Sequence, residues 1–530
     1  MSVRLLCQSS HLKVSYKNAT PEEIQKSENI IITNFRAEDS TLKRTFAVKK
    51  GMASAVRSFY IQDNPDPKLS KNLLPVGFLS WLAMYYEEQG IEFEIVEMRT
   101  FPKVDKEFAI NLFQGDVELK GPSGEVFTPR DYQIEAALSL VRAKVGLAQA
   151  PVGSGKGLIL ALLCKLYSQH KILCLFNSID LVHQTYKNFI QYGIDAHEIG
   201  IIQGQNVQDD RRITLLSVAS YEKAFHIFPE MKVLLVDESH SLSSGTGDEM
   251  ATKILYSCQN APIRLGLSAT QDAIDNPYRQ MALYGNMGPI VFDQHIQDKI
   301  EEGSLSPVRI EMHTISGFAI PVTRNWADSY DKTLITSKKQ RQKFIDEGKE
   351  VYTEDGKEYY RELTARGDES NLFVFNEIRN DKIAEIASKT KHTVVLYTRR
   401  EHGIILEEKI KKLVNEERVK RIDGYDDGKI RDEAKSFLSE HPENIVLASS
   451  VWDTGVDVPW IHTLITTGGG VSTSRTIQKL GRSTRNDKKS HKVEAVVIDF
   501  MDLFSGVSNK QSQKRLKTYE EKLRFKVEMK

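Results

Sequence analysis

The 530-residue sequence predicts an α/β protein with a phosphate-binding site in its first half. A glycine-rich loop lies between an apolar strand and an apolar helix. About eighty residues on, a second apolar strand ends in two acidic residues. Further strand-to-helix passages follow in the second half of the chain.

The loop reads Ala150-Pro151-Val152-Gly153-Ser154-Gly155-Lys156-Gly157. Residues 145–150 before it read as a short buried strand. Residues 158–166 after it read as a helix with apolar side chains at most positions. Strand, loop and helix together aim a helix N-terminus and backbone N–H groups at a phosphate. Gly153, Gly155 and Lys156 stand where the nucleotide-loop pattern G-x-x-x-x-G-K-[ST] requires them. Ala150 is small enough for the first position. Gly157 takes the last and has no hydroxyl for Mg²⁺, so the loop predicts a nucleoside triphosphatase that holds its metal differently, and weaker hydrolysis with it.

The acidic strand end is Lys232-Val-Leu-Leu-Val236 followed by Asp237-Glu238-Ser239-His240. Acids at the end of a buried parallel strand lie beside the phosphate loop in such folds. Asp237 is the expected Mg²⁺ anchor, directly or through water, and Glu238 the residue that orients and deprotonates the attacking water.

With these residues in place, the chain resembles the superfamily-two helicases of the DExH type. Ser268-Ala269-Thr270 matches that family's S-A-T motif after the strand around 264–267. The resemblance implies a coupling role for His240, Ser268 and Thr270 between ATP state and a nucleic-acid groove. Phe127-Thr-Pro-Arg130-Asp-Tyr132-Gln133 resembles the R-x-Y-Q element, with Arg130 and Gln133 at the base of ATP and Gln133 reading the adenine edge. Asn177 through Gln184, and the segment 217–221 with Ser220, fit strand-backbone contacts. In the second half, Thr393–Arg399 with Thr398 and Arg399 resembles motif IV. Residues 448–457, with Ser449, Gly455 and Asp457, resemble motif V. Gln478-Lys-Leu-Gly481-Arg482-Ser-Thr-Arg485 matches Q-x-x-G-R-x-x-R of motif VI. Arg485, with Arg482 beside it, is the implied arginine finger, a role worth roughly 10³–10⁵ in rate.

The motif order implies two tandem RecA-like domains, parallel sheets flanked by helices, with ATP held by the loop and acids of one and the arginines of the other. The expected boundaries are 121–312 and 313–505, after a small α+β domain over 1–120 and before a basic helical tail over 506–530. In the first segment, Thr20-Pro21-Glu22-Glu23 is a helix start with a capping box. Residues 58–62 and 91–96 read as strands, and 77–86 as a buried helix. Asn72-Leu-Leu-Pro-Val-Gly-Phe-Leu, the helix after it and the C-terminal Arg515-x₃-Tyr519-Glu-Glu-x₃-Phe525 run resemble the UvsW-type helicases of tailed bacteriophages. That resemblance implies remodelling of forks, Holliday junctions, D-loops and R-loops in recombination, repair and replication restart. The family's aromatic-rich turn is replaced here by Lys50-Gly-Met-Ala-Ser.

Three further features admit two readings each. Lys43, Arg44, Lys49, Lys50 and Arg57 form either a DNA-facing patch or a solvated sheet edge. Residues 350–361 read as a β-hairpin about Asp355-Gly356, either a separation pin with Tyr352, Tyr359 or Tyr360 stacking on a base or a surface decoration. Residues 510–530 hold eight basic and three acidic residues, a net of 8 − 3 = +5. There Lys514 and Arg515 either contact duplex phosphates or belong to a plain solvated helix.

The composition is neutral, with 72 basic and 72 acidic side chains. A neutral nucleic-acid binder must concentrate its positive charge in a groove. Four scattered cysteines (Cys7, Cys164, Cys174, Cys258) argue against a zinc site and for a reducing compartment. No signal pattern and no apolar stretch of membrane-spanning length is evident. A soluble, cytoplasmic monomer is expected, working with ATP, Mg²⁺ and branched DNA. Two other readings stand beside it: a duplex DNA translocase of the restriction-motor type, and a structure-specific DNA-binding protein whose ATPase decayed at Gly157. Retention of both acids and both arginines argues against the last.

Overall fold

The computed structural model describes residues 3–62, 72–240, 253–271, 274, 276–303, 305–317, 332–334, 351–354, 357–361, 372–423, 426, 428–449, 461–468, 476–477, 480–481 and 494–530. The chain divides into two compact units, Met1–Glu302 and Gly303–Lys530.

The first unit begins with a four-stranded sheet in the order Leu73–Pro75, His11–Tyr16, Val3–Cys7, Phe93–Glu97. Strict alternation along Val3–Cys7 buries Val3, Leu5 and Cys7 on one face. Against that face lie Ile31 of helix Pro21–Asn34 and Leu82 and Tyr86 of helix Leu79–Glu88. The first helix starts as its sequence requires. Thr20 Oγ1 accepts from the Glu23 N–H at 3.2 Å, and Glu23 accepts from the Thr20 N–H at 2.7 Å. The strand expected over 58–62 lies earlier, at Val56–Ser58. Ser58 Oγ accepts from the Tyr60 N–H at 3.1 Å and turns the chain away there.

Two-stranded sheets form at Arg36–Glu38 with Val56–Ser58 and at Leu119–Lys120 with Val126–Phe127, and an eight-stranded sheet forms the main body of this unit. Its order is Asn206–Val207, Ile199–Gln203, Ile213–Ser217, Ile172–Phe176, Val233–Asp237, Ile263–Ser268, Val145–Gln149, Ile290–Asp293. All neighbours are parallel except the first pair. The central strands are buried on both faces, which explains their unbroken apolar runs. In register, Asp237 faces Leu267 and Ser268 faces Gln149. The strands that carry the acids, the Ser-Ala-Thr segment and the phosphate loop therefore end side by side.

The second unit is a seven-stranded, wholly parallel sheet. Its order is Val419–Ile422, Ile445–Ser449, Thr393–Tyr397, Thr463–Thr466, Ala495–Asp502, Val308–Ile315, Val527–Met529. Strand Val308–Ile315 straddles the boundary expected at 312 and pairs wholly within this second sheet. The hairpin strands form as read: Val351–Glu354 pairs antiparallel with Lys357–Arg361, and Lys332–Leu334 adds a third strand. The turn at Asp355-Gly356 lies outside the described residues.

The C-terminal tail is a correction to the expectation of a basic helix alone. Helix Gly506–Lys517 runs into a π-turn at Thr518–Lys522, and the chain ends as edge strand Val527–Met529. Apolar Val527 and Met529 within the last basic run give that strand a place to pair.

Candidate active site

The phosphate loop turns on two glycines. Gly153 and Gly155 have φ of 84° and 81°, a left-handed backbone that a side chain would strain. A Cβ on Gly155 would also stand 2.4 Å from Gln133 Nε2. The loop is pinned from behind at one carbonyl: Ser154 O accepts from Tyr132 OH at 2.5 Å and from Gln133 Nε2 at 2.9 Å. Pro151 and Ser154 are buried, while Val152, Gly155, Lys156 and Gly157 are half-buried and Gly153 is exposed. Lys156 opens the eleven-residue helix Lys156–Leu166, so its ammonium and the helix N-terminus share one place.

Opposite the loop stand the two acids. Lys156 Nζ is 3.6 Å from Glu238 Oε1. Glu238 has φ 47°, a left-handed position for a non-glycine residue, and its N–H donates to Asp237 Oδ1 at 3.0 Å. Strain of this kind concentrates at functional sites. Burial opposes the charge on Glu238, yet Lys156, His240 and Ser268 hold its carboxyl well below the usual range. Burial and the Glu238 charge push Asp237 the other way, upward. Two carboxylates against one ammonium leave a negative excess that suits a divalent cation.

His240, Ser268 and Thr270 meet behind Glu238. Ser268 Oγ donates to Glu238 Oε2 at 3.2 Å and lies 2.7 Å from His240 Nδ1, while the Thr270 N–H donates to Ser268 Oγ at 3.1 Å. His240 Nδ1 is itself 3.3 Å from Glu238 Oε2.

Other expected residues fall as follows. Arg130 is exposed at the start of helix Asp131–Ala143, and its N–H donates to Gln133 Oε1 at 2.9 Å. Gln133, expected to read adenine, is buried and engaged at both ends of its amide inside the chain. Asn177 is exposed just after strand Ile172–Phe176, and Gln184 is half-buried on helix Ile179–Gln191. Ser220 Oγ accepts from the Gly204 N–H at 3.1 Å. Thr398 is exposed and Arg399 half-buried, 3.5 Å from Glu401. Ser449 closes strand Ile445–Ser449. Tyr352 and Tyr359 face each other in the hairpin register. Gly455, Asp457, Gln478, Arg482 and Arg485 lie outside the described residues.

Arg515 is a correction. It is buried, with Nε 2.9 Å from Asp499 Oδ2 and Nη2 donating to Phe500 O at 2.8 Å. Tyr519 OH donates to the same Asp499 oxygen at 2.9 Å. Its guanidinium therefore holds the tail to the sheet and is withdrawn from phosphates. Lys514 beside it is half-buried. In the basic patch of the first segment, Lys43 pairs with Glu38 at 2.6 Å and Arg57 with Asp39 at 3.6 Å.

Three residues at the site were missed. Tyr132 supports the loop, and Lys299, only 1 % exposed, sets its ammonium 3.6 Å from the Tyr132 ring centroid. Gln271 is fully buried and donates to Ser239 Oγ at 2.6 Å. Tyr132 is the tyrosine of the R-x-Y-Q element, read there without a role of its own, and Gln271 adjoins the Ser-Ala-Thr motif, which was the available signal. Lys299 had none, since a buried lysine looks like any other in sequence.

Two family models match the chain. "Type III restriction enzyme, res subunit" spans residues 126–273, and "Helicase conserved C-terminal domain" spans 378–487. The DNA 3'-5' translocase XPB2 of Sulfurisphaera tokodaii is 25% identical over 438 residues, 79% of this chain and 87% of that protein. The ATP-dependent DNA helicase uvsW of Enterobacteria phage T4 is 22% identical over 472 residues, 84% of this chain and 82% of that protein. Among solved structures, a fragment of a putative HsdR subunit of a type I restriction enzyme from Vibrio vulnificus has the same fold. It aligns with TM-score 0.53 and 16% identity over 98% of this chain and 86% of its own. The helicase matches fall on the sheet that joins phosphate loop to acidic strand end and on the sheet that follows; the chain resembles the superfamily-two helicases, UvsW among them, and is an ATP-hydrolysing enzyme.

Proposed function

We propose that the chain is an ATP-dependent DNA helicase that unwinds or branch-migrates forked and branched DNA, with recombination, repair and replication restart as its setting. The observation that carries the motor part is the hydrogen-bonded cluster Glu238–Ser268–His240 facing Lys156 across the loop. It ties the residue beside the attacking water to the strand end whose family role is nucleic-acid coupling. The relatives named as DNA translocase and DNA helicase support DNA as the track.

In this reading Lys156 and the loop N–H groups take the β- and γ-phosphates. Glu238 is ionised at neutral pH because Lys156 holds it so, and it orients and deprotonates water. Asp237 would hold Mg²⁺, which when bound neutralises phosphate charge. Arg482 and Arg485, with Gln478, are assigned to the transferring phosphoryl group. Gly455 and Asp457 complete the nucleotide contacts. Asn177, Gln184, Ser220, Thr398, Arg399 and Ser449 are assigned to the nucleic-acid backbone.

A second reading is a duplex DNA translocase without preference for branches, favoured by the relative named as a translocase. The two part in one experiment: ATP-dependent processing of a synthetic fork, a four-way junction and linear duplex, with Lys156→Ala as control. Selective remodelling of the branched substrates by wild type alone is expected. Hydrolysis stimulated equally by linear duplex, with no strand rearrangement, would establish the translocase instead.

A further inference from the structure

The two-stranded sheet Arg36–Glu38/Val56–Ser58 is joined to the helix Pro277–Met287 by a buried polar contact. Asn276 caps helix Pro277–Met287, its Oδ1 accepting from the N–H groups of Tyr278 and Arg279 at 3.1 and 3.4 Å. Its amide nitrogen points the other way and donates to Asp39 Oδ1 at 2.9 Å, across 237 residues of sequence. Asp39 is 5 % exposed and also accepts from Thr41, at 3.0 Å from its N–H and 2.6 Å from its hydroxyl. Arg57 lies 3.6 Å from the other Asp39 oxygen and 4.3 Å from the Tyr278 ring centroid, and Tyr278 stacks on Phe59 at 4.9 Å.

The same helix is tied to the catalytic strand end. Gln280 Nε2, on that helix, donates to Gln271 O at 2.7 Å. Gln271 is the residue after Thr270, and its side chain donates to Ser239 Oγ within the Asp-Glu-Ser-His turn. A displacement of the helix therefore acts on both the Ser-Ala-Thr segment and the turn carrying Glu238. Aromatic packing alone would hold the helix in place. A charged acceptor buried against its N-cap adds a fixed register that only one geometry satisfies.

We infer that Asp39 and Asn276 are positioning residues for the DNA-stimulated part of ATP hydrolysis, transmitting the placement of this two-stranded sheet to Ser268 and Glu238 through Gln271. Neither touches nucleotide. This rests on DNA-stimulated hydrolysis under the function proposed above. Burial opposes the Asp39 charge, but Thr41, Asn276 and Arg57 hold its carboxyl down to about 2, so it is an anion at neutral pH.

Asn276→Asp separates the cap from the contact. Aspartate caps a helix as well as asparagine does, but it sets two carboxylates against each other at Asp39. In the full chain, the DNA-stimulated kcat should fall about tenfold, with KM for ATP and the rate without DNA within about twofold of wild type. The exchanged pair Asp39→Asn with Asn276→Asp removes the repulsion between two carboxylates but sets an amide against the Thr41 N–H, so it should recover part of the stimulated rate. Asp39→Ala serves as a background in which the second carboxylate meets no charge, so Asn276→Asp should do no added harm there. Stimulated kcat unchanged in Asn276→Asp, or an exchanged pair no better than the single variant, would overturn the inference. Stimulation by linear duplex equal to that by forks would remove the branched-DNA reading alone, and this test then runs with that duplex.

Discussion

At Gly157 the space beside the backbone is open. A Cβ there would lie 3.6 Å from Asn188 Nδ2, an ordinary contact. The residue is in the first turn of helix Lys156–Leu166, where threonine is no worse a helix former than glycine. Gly155, two residues earlier, is the opposite case: φ 81° and the approach of Gln133 both forbid a side chain. So the missing hydroxyl is not forced by packing, and Gly157→Thr should fold. With Asp237 as the anchor of Mg²⁺, the substitution is expected to tighten Mg²⁺ dependence or leave it unchanged, with kcat retained. A Mg²⁺ titration of ATP hydrolysis reads this directly. A marked fall in activity would mean that the anchor is organised around the bare loop.

Among elements, the C-terminal tail departs most from its sequence. Helix Gly506–Lys517 is held by the buried trio Arg515, Asp499 and Tyr519. Removing one member of a buried pair leaves an uncompensated charge, at a cost of about 3–5 kcal/mol. Arg515→Ala should therefore destabilise the second unit by that order in denaturant unfolding. Unchanged stability, with loss of DNA affinity instead, would restore the phosphate-contact reading. A pH signature follows. Burial opposes ionisation of Asp499, but Arg515 holds its carboxyl below the usual value. A depressed folded pKa contributes stability above the unfolded carboxylate pKa of roughly 4. That stability is lost as pH falls through the folded value. Arg515→Ala lifts the folded pKa, so its acid unfolding, followed by circular dichroism, should begin at higher pH than in wild type. The sequence showed basic residues at near-helical spacing, which is also how a surface helix looks. Asp499 sits in an apolar strand sixteen residues earlier, and nothing in the pattern marks it as a partner. By contrast, the helix start at Thr20 and the loop around Gly155 were legible because their chemistry is local: a cap reads its own third residue, and a left-handed turn needs glycine wherever it falls.

For the molecule as a whole, the first unit depends on contacts between distant segments, which sequence patterns do not encode. The Pro277–Met287 helix lies against the N-terminal sheet closely enough that a Cβ on Gly77 would sit 2.1 Å from Tyr284 O and 2.6 Å from Gly285 O. A Cβ on Gly285 would in turn sit 2.7 Å from the Phe78 ring. Trp81 meets Tyr284 edge to face at 5.3 Å. The atoms facing Gly77 are backbone, so even one methyl group cannot be accommodated by rotating a side chain. Gly77→Ala must push the N-terminal sheet off the helix, at about 1–3 kcal/mol by analogy with overpacked cores. Limited proteolysis should then release fragments from the first hundred residues sooner than in wild type. The phosphate loop follows strand Val145–Gln149, whose Val145 packs against the N-terminal core, but the loop has its own support in Tyr132 and Gln133, so KM for ATP should hold. If the N-terminal sheet gives the motor its preference for branches, fork remodelling falls by more than the loss of DNA-stimulated hydrolysis that a displaced helix itself causes. Fork remodelling that survives the same loosening would assign branch recognition to the sheets that bind and follow the nucleotide, leaving the N-terminal sheet a brace for the helix it covers.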